Sequence, residues 1–293
     1  MGAITDGSRY LDPDGSFPNH IPNPENKEAM ESIKDAVKEV TAALGIIFDT
    51  DVDRAGAVLS DGSELNRNRI IAMLSAILLR ENPGTTIVTD SITSTGLKKF
   101  IIEKGGVHHR FKRGYKNVIN ESIRLNKEGK DSQLAIETSG HGALKENYFL
   151  DDGAYLVTKL LIELARGKKH GYTLESLIET LEEPKESVEF RMNILLDEFK
   201  PYGLKVIEEL TEYAKTKEGW SLEENIYEGV IINFDDKNGD GWLLLRLSLH
   251  DPLLPLNIES NSIGGAKKIA TALSEFIKNY DKLAFDSLLE FVK

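Results

Sequence analysis

Apolar positions along the chain follow two periodicities, and their order predicts the elements. Residues 1–26 carry Pro13, Pro18, Pro22 and Pro24 among Asn, Asp and Gly, and read as loop. From Glu28 to Leu44 apolar side chains recur at helical spacing, after which GIIFDTDVDRAGAVL reads as strand, acidic loop, strand. A helix over NRIIAMLSAILLREN, a strand over TTIVTDS and a helix over GLKKFIIEKG follow. Next come the segment VHHRFKRGYKNVINESIRL, a short strand and loop in QLAIETSGHG, and a helix from Asp152 to Arg166. Helix and strand alternating at this spacing predict an α/β fold with parallel or mixed sheet layers.

Beyond the basic, Gly-flanked GKKHG, which reads as a joint, the pattern changes. YTLESLIETL is helical, and after FRMNILLDEFKPYG comes a further helix. YEGVIINFDD and GWLLLRLSL are extended runs joined by KNGD, a hairpin turn. PLNIES adds a strand, and Gly265 to Phe276 a closing helix. This predicts a smaller α+β domain with an antiparallel sheet. The expected divisions are 1–64, 65–168 and 169–293. The first is a lone βαβ-like fragment that buries too little surface to be a domain by itself.

Composition narrows the function classes. No apolar run approaches the roughly 18–20 residues needed to cross a bilayer. The opening MGAITDGSRYLDPDG is too polar for a secretory signal, and Asp6 stands where a myristoylation motif wants Ser or Thr. With no Cys there is neither a disulfide framework nor a thiolate metal site, and the cytoplasm is the default location. A net charge of −12 argues against nucleic-acid and anionic-membrane partners, whose affinity comes from clustered Lys and Arg.

Three stretches carry candidate chemistry. Asp49, Asp51 and Asp53 leave an Ile-Ile-Phe strand at alternate positions, followed at once by Arg54. Such clustering is costly unless a cation neutralises it, and hard oxygen ligands suit Mg²⁺. A solvated acidic turn is the plainer alternative, and a phosphatase of the haloacid-dehalogenase type, with Asp49 as nucleophile, is another. Glu137-Thr138-Ser139-Gly140-His141 offers a carboxylate and hydroxyls for a polyol, and an imidazole suited to proton transfer near neutrality. Arg246, Ser248 and His250 lie in LRLSLHDP, where Arg and hydroxyl groups would suit a phosphate, or where Arg246 simply decorates an exposed strand face. Asp236-Lys-Asn238-Gly-Asp240-Gly241 begins like a calcium loop, but its twelfth position is Leu247 and extended runs flank it, so it reads as a turn.

Taken in order, DTDVDR, RGYK, ETSGH with the following KENYFLDDG, and LRLSLHDP resemble the metal, Gly-aromatic-Lys, sugar and phosphate loops of the α-D-phosphohexomutases. PDGSFPNHIPNPE resembles the middle of that family's second domain. Thr50 replaces the usual Gly of the metal loop, Leu249-His250 replace a polar pair, and Asn257 stands where relatives often have Arg. The resemblance implies Asp49, Asp51 and Asp53 as Mg²⁺ ligands beside Arg54. It implies Glu137 and Ser139 as sugar contacts, and Arg246, Ser248 and His250 as contacts for the distal phosphate. His141 and Lys116 become candidates for proton transfer and for offsetting phosphoryl charge.

It further implies interconversion of glucose or mannose 1- and 6-phosphates through a phosphoserine and a hexose 1,6-bisphosphate. No Thr-Ala-Ser-His-Asn-Pro-like donor loop occurs in the sequence, and Ser94, at a strand-to-helix junction of the third domain, is not nominated in its place. The expectation is a C-terminal portion lacking domain one and the start of domain two, inactive alone, with an N-terminal half as its partner. A non-catalytic sugar-phosphate binding module remains the other reading.

Overall fold

The structure, a computed structural model, describes residues 2–293. The chain forms two compact units, the first ending at Glu182 and the second spanning Glu183–Lys293.

The first unit opens with extended and turn backbone up to helix α1 (Lys27–Val40). Asn26 caps that helix by accepting the Ala29 N–H, and Thr41 ends it in the left-handed region. Met30 and Val37 on its buried face pack against Val58 of a three-stranded antiparallel sheet. The strands are β1 (Leu44–Phe48), β2 (Ala55–Leu59) and β3 (Glu64–Leu65), in that order. Phe48 lies opposite Ala55, so residues 49–54 form the tip of a hairpin, as the strand, acidic loop, strand pattern predicts.

The second sheet of this unit contains β4 (Thr86–Thr89), β5 (Val107–Arg110), β6 (Ser132–Ile136) and β7 (Gly142–Leu144). Its order is β5-β4-β6-β7; the first three strands are parallel and β7 is antiparallel. Helices α2 (Arg67–Glu81), α3 (Thr95–Glu103), α4 (Tyr115–Lys127), α5 (Gly153–His170) and the short α6 (Leu174–Leu177) accompany it. Ile87, Leu134 and Ile136 of the sheet share one core with Ile77 and Phe100 of the helices. The chain passes from β4 to β5 on one side and then crosses to β6 on the other. The strand order therefore reverses between β4 and β6, where α/β sheets open a crevice at their carboxyl ends.

The stretch that reads as a joint, GKKHG, is instead the last turn of α5. Lys168, Lys169 and His170 favour the negative end of the helix dipole, and Gly171, with φ of 80°, supplies the left-handed cap. Buried Glu163 of α5 accepts two bonds from Arg80 of α2, at 2.7 and 2.6 Å, and one from the Tyr172 hydroxyl at 2.7 Å. That contact fixes α5 against α2.

The second unit is a six-stranded antiparallel sheet. Its strands are β8 (Glu186–Ile194), β9 (Trp220–Leu222), β10 (Val230–Phe234), β11 (Gly241–Leu245), β12 (Leu253–Ser260) and β13 (Leu283–Ala284). They run in the order β13-β8-β12-β11-β10-β9. Helices α7 (Phe199–Lys215), α8 (Gly265–Ile277) and α9 (Asp286–Val292) complete it, and Val206, Leu210, Ile269 and Leu273 share a core with Met192, Leu243, Leu256 and Ile258. KNGD lies within the hairpin connection that leaves Phe234 opposite Gly241.

Several elements go beyond the periodicity reading, β8, β13 and α9 among them. FRMNI belongs to the nine-residue strand β8, with Phe190, Met192 and Ile194 buried and Arg191 and Asn193 exposed. Chain beyond Phe276 adds β13 and α9. Among the described residues no helix is long and apolar enough to cross a membrane.

Candidate functional site

The β1–β2 tip carries its charges in a fixed arrangement. Asp49 is buried, and both its oxygens are taken by Arg54: Nε donates to Oδ2 at 2.7 Å, and the backbone N–H donates to Oδ1 at 3.2 Å. Val52 turns the loop with a φ of 65°, and its carbonyl accepts the Gly153 N–H at 3.0 Å. A Cβ on Gly153 would fall 2.8 Å from the Arg54 carbonyl carbon, so only glycine lets the start of α5 sit against this loop.

Oxygens from Asp49, Asp51 and Asp53 lie within 4.8 Å of one another, with Asp51 exposed and Asp53 partly buried. Burial opposes ionisation of Asp49, but the Arg54 hydrogen bonds outweigh it and hold this carboxyl below its ordinary value. Asp53 moves the other way, raised by burial and by the Asp49 charge against the pull of His141. Asp53 Oδ1 is buried without a hydrogen-bond partner. A hard divalent cation fits this donor set, because it would satisfy that oxygen and neutralise the clustered carboxylates.

The second loop joins β6 to β7 at the reversal of strand order. The Gly140 N–H donates to the Glu137 carbonyl at 3.1 Å and the Glu137 N–H to the His141 carbonyl at 2.9 Å, closing a tight turn. The Ala55 N–H donates to the Gly140 carbonyl at 3.3 Å, and Arg54 and His141 form an antiparallel bridge. Gly140 has a φ of 98°, and a Cβ there would lie 2.6 Å from the Ala55 carbonyl oxygen. The acidic hairpin and the Glu-Thr-Ser-Gly-His loop are thus stitched together by backbone.

Glu137 is buried at the base of this turn and accepts the Gly114 N–H at 2.5 Å. Burial, with the charge of Asp90 behind it, pushes its carboxyl up to about 7. Asp90, fully buried at the end of β4, accepts the Thr138 hydroxyl at 2.8 Å. Ser139 Oγ is buried and makes no hydrogen bond. His141 places Nδ1 2.9 Å from Asp151 Oδ2 and 3.6 Å from Asp53 Oδ2, while its ring stacks on Tyr115 at 4.9 Å. Burial disfavours its imidazolium, but the hydrogen bond to Asp151 and the charges of Asp151, Asp53 and Glu137 outweigh that and raise it. Exposed Lys116 lies with Nζ 5.7 Å from the centre of the Tyr115 ring.

Asp49, Asp51, Asp53, Arg54, Glu137, Ser139 and His141 therefore meet on one unit, with Lys116 beside them through Tyr115. The neighbouring histidines are drawn elsewhere. His108 turns inward to Thr89 Oγ1 at 2.8 Å, where burial holds it well below its ordinary value, and His109 pairs with Glu121 at 2.9 Å. Ser94 caps α3 by accepting the Leu97 N–H at 3.0 Å.

Arg246, Ser248 and His250 occupy the β11–β12 connection in the second unit. The Ser248 N–H donates to the Leu253 carbonyl at 3.0 Å, and Ser248 Oγ accepts the Asp251 N–H at 3.2 Å. Arg246 is half-buried, while Leu249 and His250 are exposed. Asn257 donates from Nδ2 to Glu189 at 3.3 Å and keeps Oδ1 buried without a partner.

Three residues of the first site escaped nomination on sequence grounds: Asp90, Tyr115 and Asp151. Asp90 ends an apolar strand, which is where crevice residues of such sheets stand. Asp151 precedes Asp152, whose side chain caps α5 by accepting the Tyr155 N–H at 2.9 Å. That cap explains one of the two aspartates and leaves the other free for a different task.

Comparison with known proteins agrees with this geometry. Residues 7–62 match "Phosphoglucomutase/phosphomannomutase, alpha/beta/alpha domain II", and residues 66–184 match domain III of the same family. The chain is 30% identical over 271 residues to a phosphoglucomutase of Neisseria gonorrhoeae, covering 92% of this chain and 55% of that protein. It is 31% identical over 264 residues to a phosphomannomutase/phosphoglucomutase of Pseudomonas syringae, covering 89% of this chain and 52% of the relative. A crystal structure of a phosphoglucomutase/phosphomannomutase family protein from Burkholderia thailandensis superposes with a TM-score of 0.74 at 28% identity, over 94% of this chain and 55% of that one. The chain spans about half the length of the curated relatives it matches. With both family domains matched in order and the hairpin and loop joined as described, this chain belongs to the phosphoglucomutase/phosphomannomutase family of α-D-phosphohexomutases.

Proposed function

We propose that this chain supplies the metal, sugar and distal-phosphate contacts of a phosphohexomutase. That enzyme would interconvert hexose 1-phosphate and hexose 6-phosphate through a phosphoserine and a hexose 1,6-bisphosphate. The observation that carries the reading is the backbone bridge between Arg54 and His141, which puts the carboxylate cluster and the sugar loop at one place. Residues 1–64 would correspond to the end of the second domain of such an enzyme, the stretch from there to Glu182 to the third, and Glu183–Lys293 to the fourth.

Asp49, Asp51 and Asp53 would hold Mg²⁺, which when bound supplies charge stabilisation to a transferring phosphoryl group. Arg54 keeps Asp49 ionised and in place. Glu137 and Ser139 would read sugar hydroxyls, since Ser139 Oγ has no partner of its own. Thr138 is spent on Asp90, so it does not discriminate glucose from mannose. His141 would move the proton of the attacking or departing hydroxyl, and exposed Lys116 would offset phosphoryl charge. Arg246, Ser248 and His250 would grip the phosphate that is not transferred, with Arg246 as the bidentate partner.

The phosphatase alternative needs Asp49 as a nucleophile, yet both its oxygens accept from Arg54. A carboxylate so held is a poor attacking group. The donor serine has no counterpart motif in these 293 residues, so the chain alone binds substrate without turning it over.

Isothermal titration of glucose 1,6-bisphosphate with Mg²⁺ tests the reading, repeated on Arg246→Ala. Binding that weakens at least about tenfold in the variant is expected, matching loss of a charge-assisted phosphate contact. Absence of binding at millimolar ligand would remove support for a working site on this chain. Conversion of glucose 1-phosphate by the purified chain would overturn the claim that the donor lies outside it.

A further inference from the structure

The surroundings of His141 restrict the ring more than a proton carrier on a loop requires. One edge faces Asp151, whose Oδ2 lies 2.9 Å from Nδ1. Asp151 is itself fixed, because its other oxygen accepts the Gly142 N–H at 3.0 Å. Its backbone pairs with Ala143, and the next residue, Asp152, caps α5. One face of the ring is covered by Tyr115, with the two planes 20° apart. The backbone on the remaining side is bridged to Arg54. Rotation about the side-chain bonds would break the Asp151 contact and the stack together.

We propose that Asp151 is a positioning residue that holds neutral His141 in the tautomer with its proton on Nδ1, leaving Nε2 as the ring nitrogen available to a bound hydroxyl. A carboxylate accepts and cannot donate, so an imidazole nitrogen 2.9 Å from Asp151 must carry the hydrogen. Nε2 then has its lone pair free, the form in which it can take a proton from a sugar hydroxyl and return it. Asp151 touches neither hydroxyl nor phosphate in this scheme and acts only through His141. The catalytic meaning rests on the phosphohexomutase reading above; the tautomer itself does not.

Long-range ¹H–¹⁵N NMR of the intact chain in alkaline buffer, where the ring is neutral, reads the tautomer directly. The His141 signals are assigned by their loss in His141→Gln. The expected result is a protonated-type resonance at Nδ1 and an unprotonated one at Nε2. In Asp151→Asn the amide can donate to Nδ1, and the protonated-type resonance should move wholly or partly to Nε2. A wild-type ring protonated at Nε2 would overturn the proposal, whatever the variant does. So would an Asp151→Asn ring that keeps its proton entirely on Nδ1, because Asp151 would then not be the group that holds it. Should Asp151→Asn fail to fold, the wild-type spectrum alone still decides. Bisphosphate titration failing while the tautomer is as expected would count against the mutase reading and leave this inference standing.

Discussion

Residues 49–54 and 246–252 both close antiparallel hairpins, and both carry charged and hydroxyl groups. They are held differently. The first tip is held from three sides: Arg54 occupies Asp49, Gly153 docks against Val52, and the β6–β7 loop bonds to Ala55. In the second, Ser248 bonds within its own hairpin and Leu247 packs on the core, while Leu249 and His250 lie at the surface. A loop that must place several carboxylates against one another needs outside support, because mutual repulsion would otherwise spread them. A loop that offers Arg and hydroxyl groups to a phosphate can be looser and let the ligand complete the order. Damage to the first should therefore appear in stability, and damage to the second in binding alone.

The largest effect should come from Gly140→Ala. The residue has a φ of 98°, and the new Cβ would meet the Ala55 carbonyl oxygen at 2.6 Å. Strain and backbone clash together should cost about 3 kcal/mol or more in denaturant unfolding of the first unit. A loss below about 1 kcal/mol would mean that the two loops are not stitched as described.

Arg54→Ala should cost nearly as much, about 3 kcal/mol, because Asp49 would be left buried without its partner. The double variant Arg54→Ala with Asp49→Asn should recover much of that loss. Failure to recover any would show that Arg54 acts through other contacts.

Glu137 gives a smaller effect with a distinct pH signature. Its carboxyl sits at about 7 when folded against an ordinary 4.5, so the folded state binds the proton more tightly than the unfolded chain does. The associated stability is fully present below pH 4.5 and is lost as pH rises through about 7, a fall of roughly 3 kcal/mol. Glu137→Gln should flatten that part of the thermal stability profile. A wild-type profile that rises across this window relative to the variant would contradict the burial argument.

His250→Ala should be the mildest, changing stability by less than about 0.5 kcal/mol, since the side chain is exposed. Its effect should appear in bisphosphate titration instead. A substantial loss of stability would mean that the second loop is as tightly built as the first, and the contrast between them would fail.

Much of this was legible along the chain. The alternation of apolar runs gave the βαβ character, and three Asp at alternate positions after Ile-Ile-Phe marked the hairpin tip. The motif order singled out Glu137, Ser139 and His141. β8 escaped because its alternating pattern runs straight into the helical segment from Phe199, so that no turn signal of Gly or Pro separates the two periods. GKKHG misled for the opposite reason: a basic, Gly-flanked run suits a linker and a helix terminus equally well.

What the sequence determined by itself was local: which residues alternate, where turns fall, and which chemical groups each loop can offer. Those follow from propensity and pattern within a few residues of chain. Only the tertiary structure decided that Arg54 lies beside His141, that Asp151 faces its imidazole, that Tyr115 covers its ring and that Asp90 stands behind Glu137. Each joins residues from different elements, brought together by the packing of sheet and helices. The raised carboxyl of Glu137 is the clearest case, because burial and a neighbouring charge are properties of the fold and no residue carries them in its own side chain.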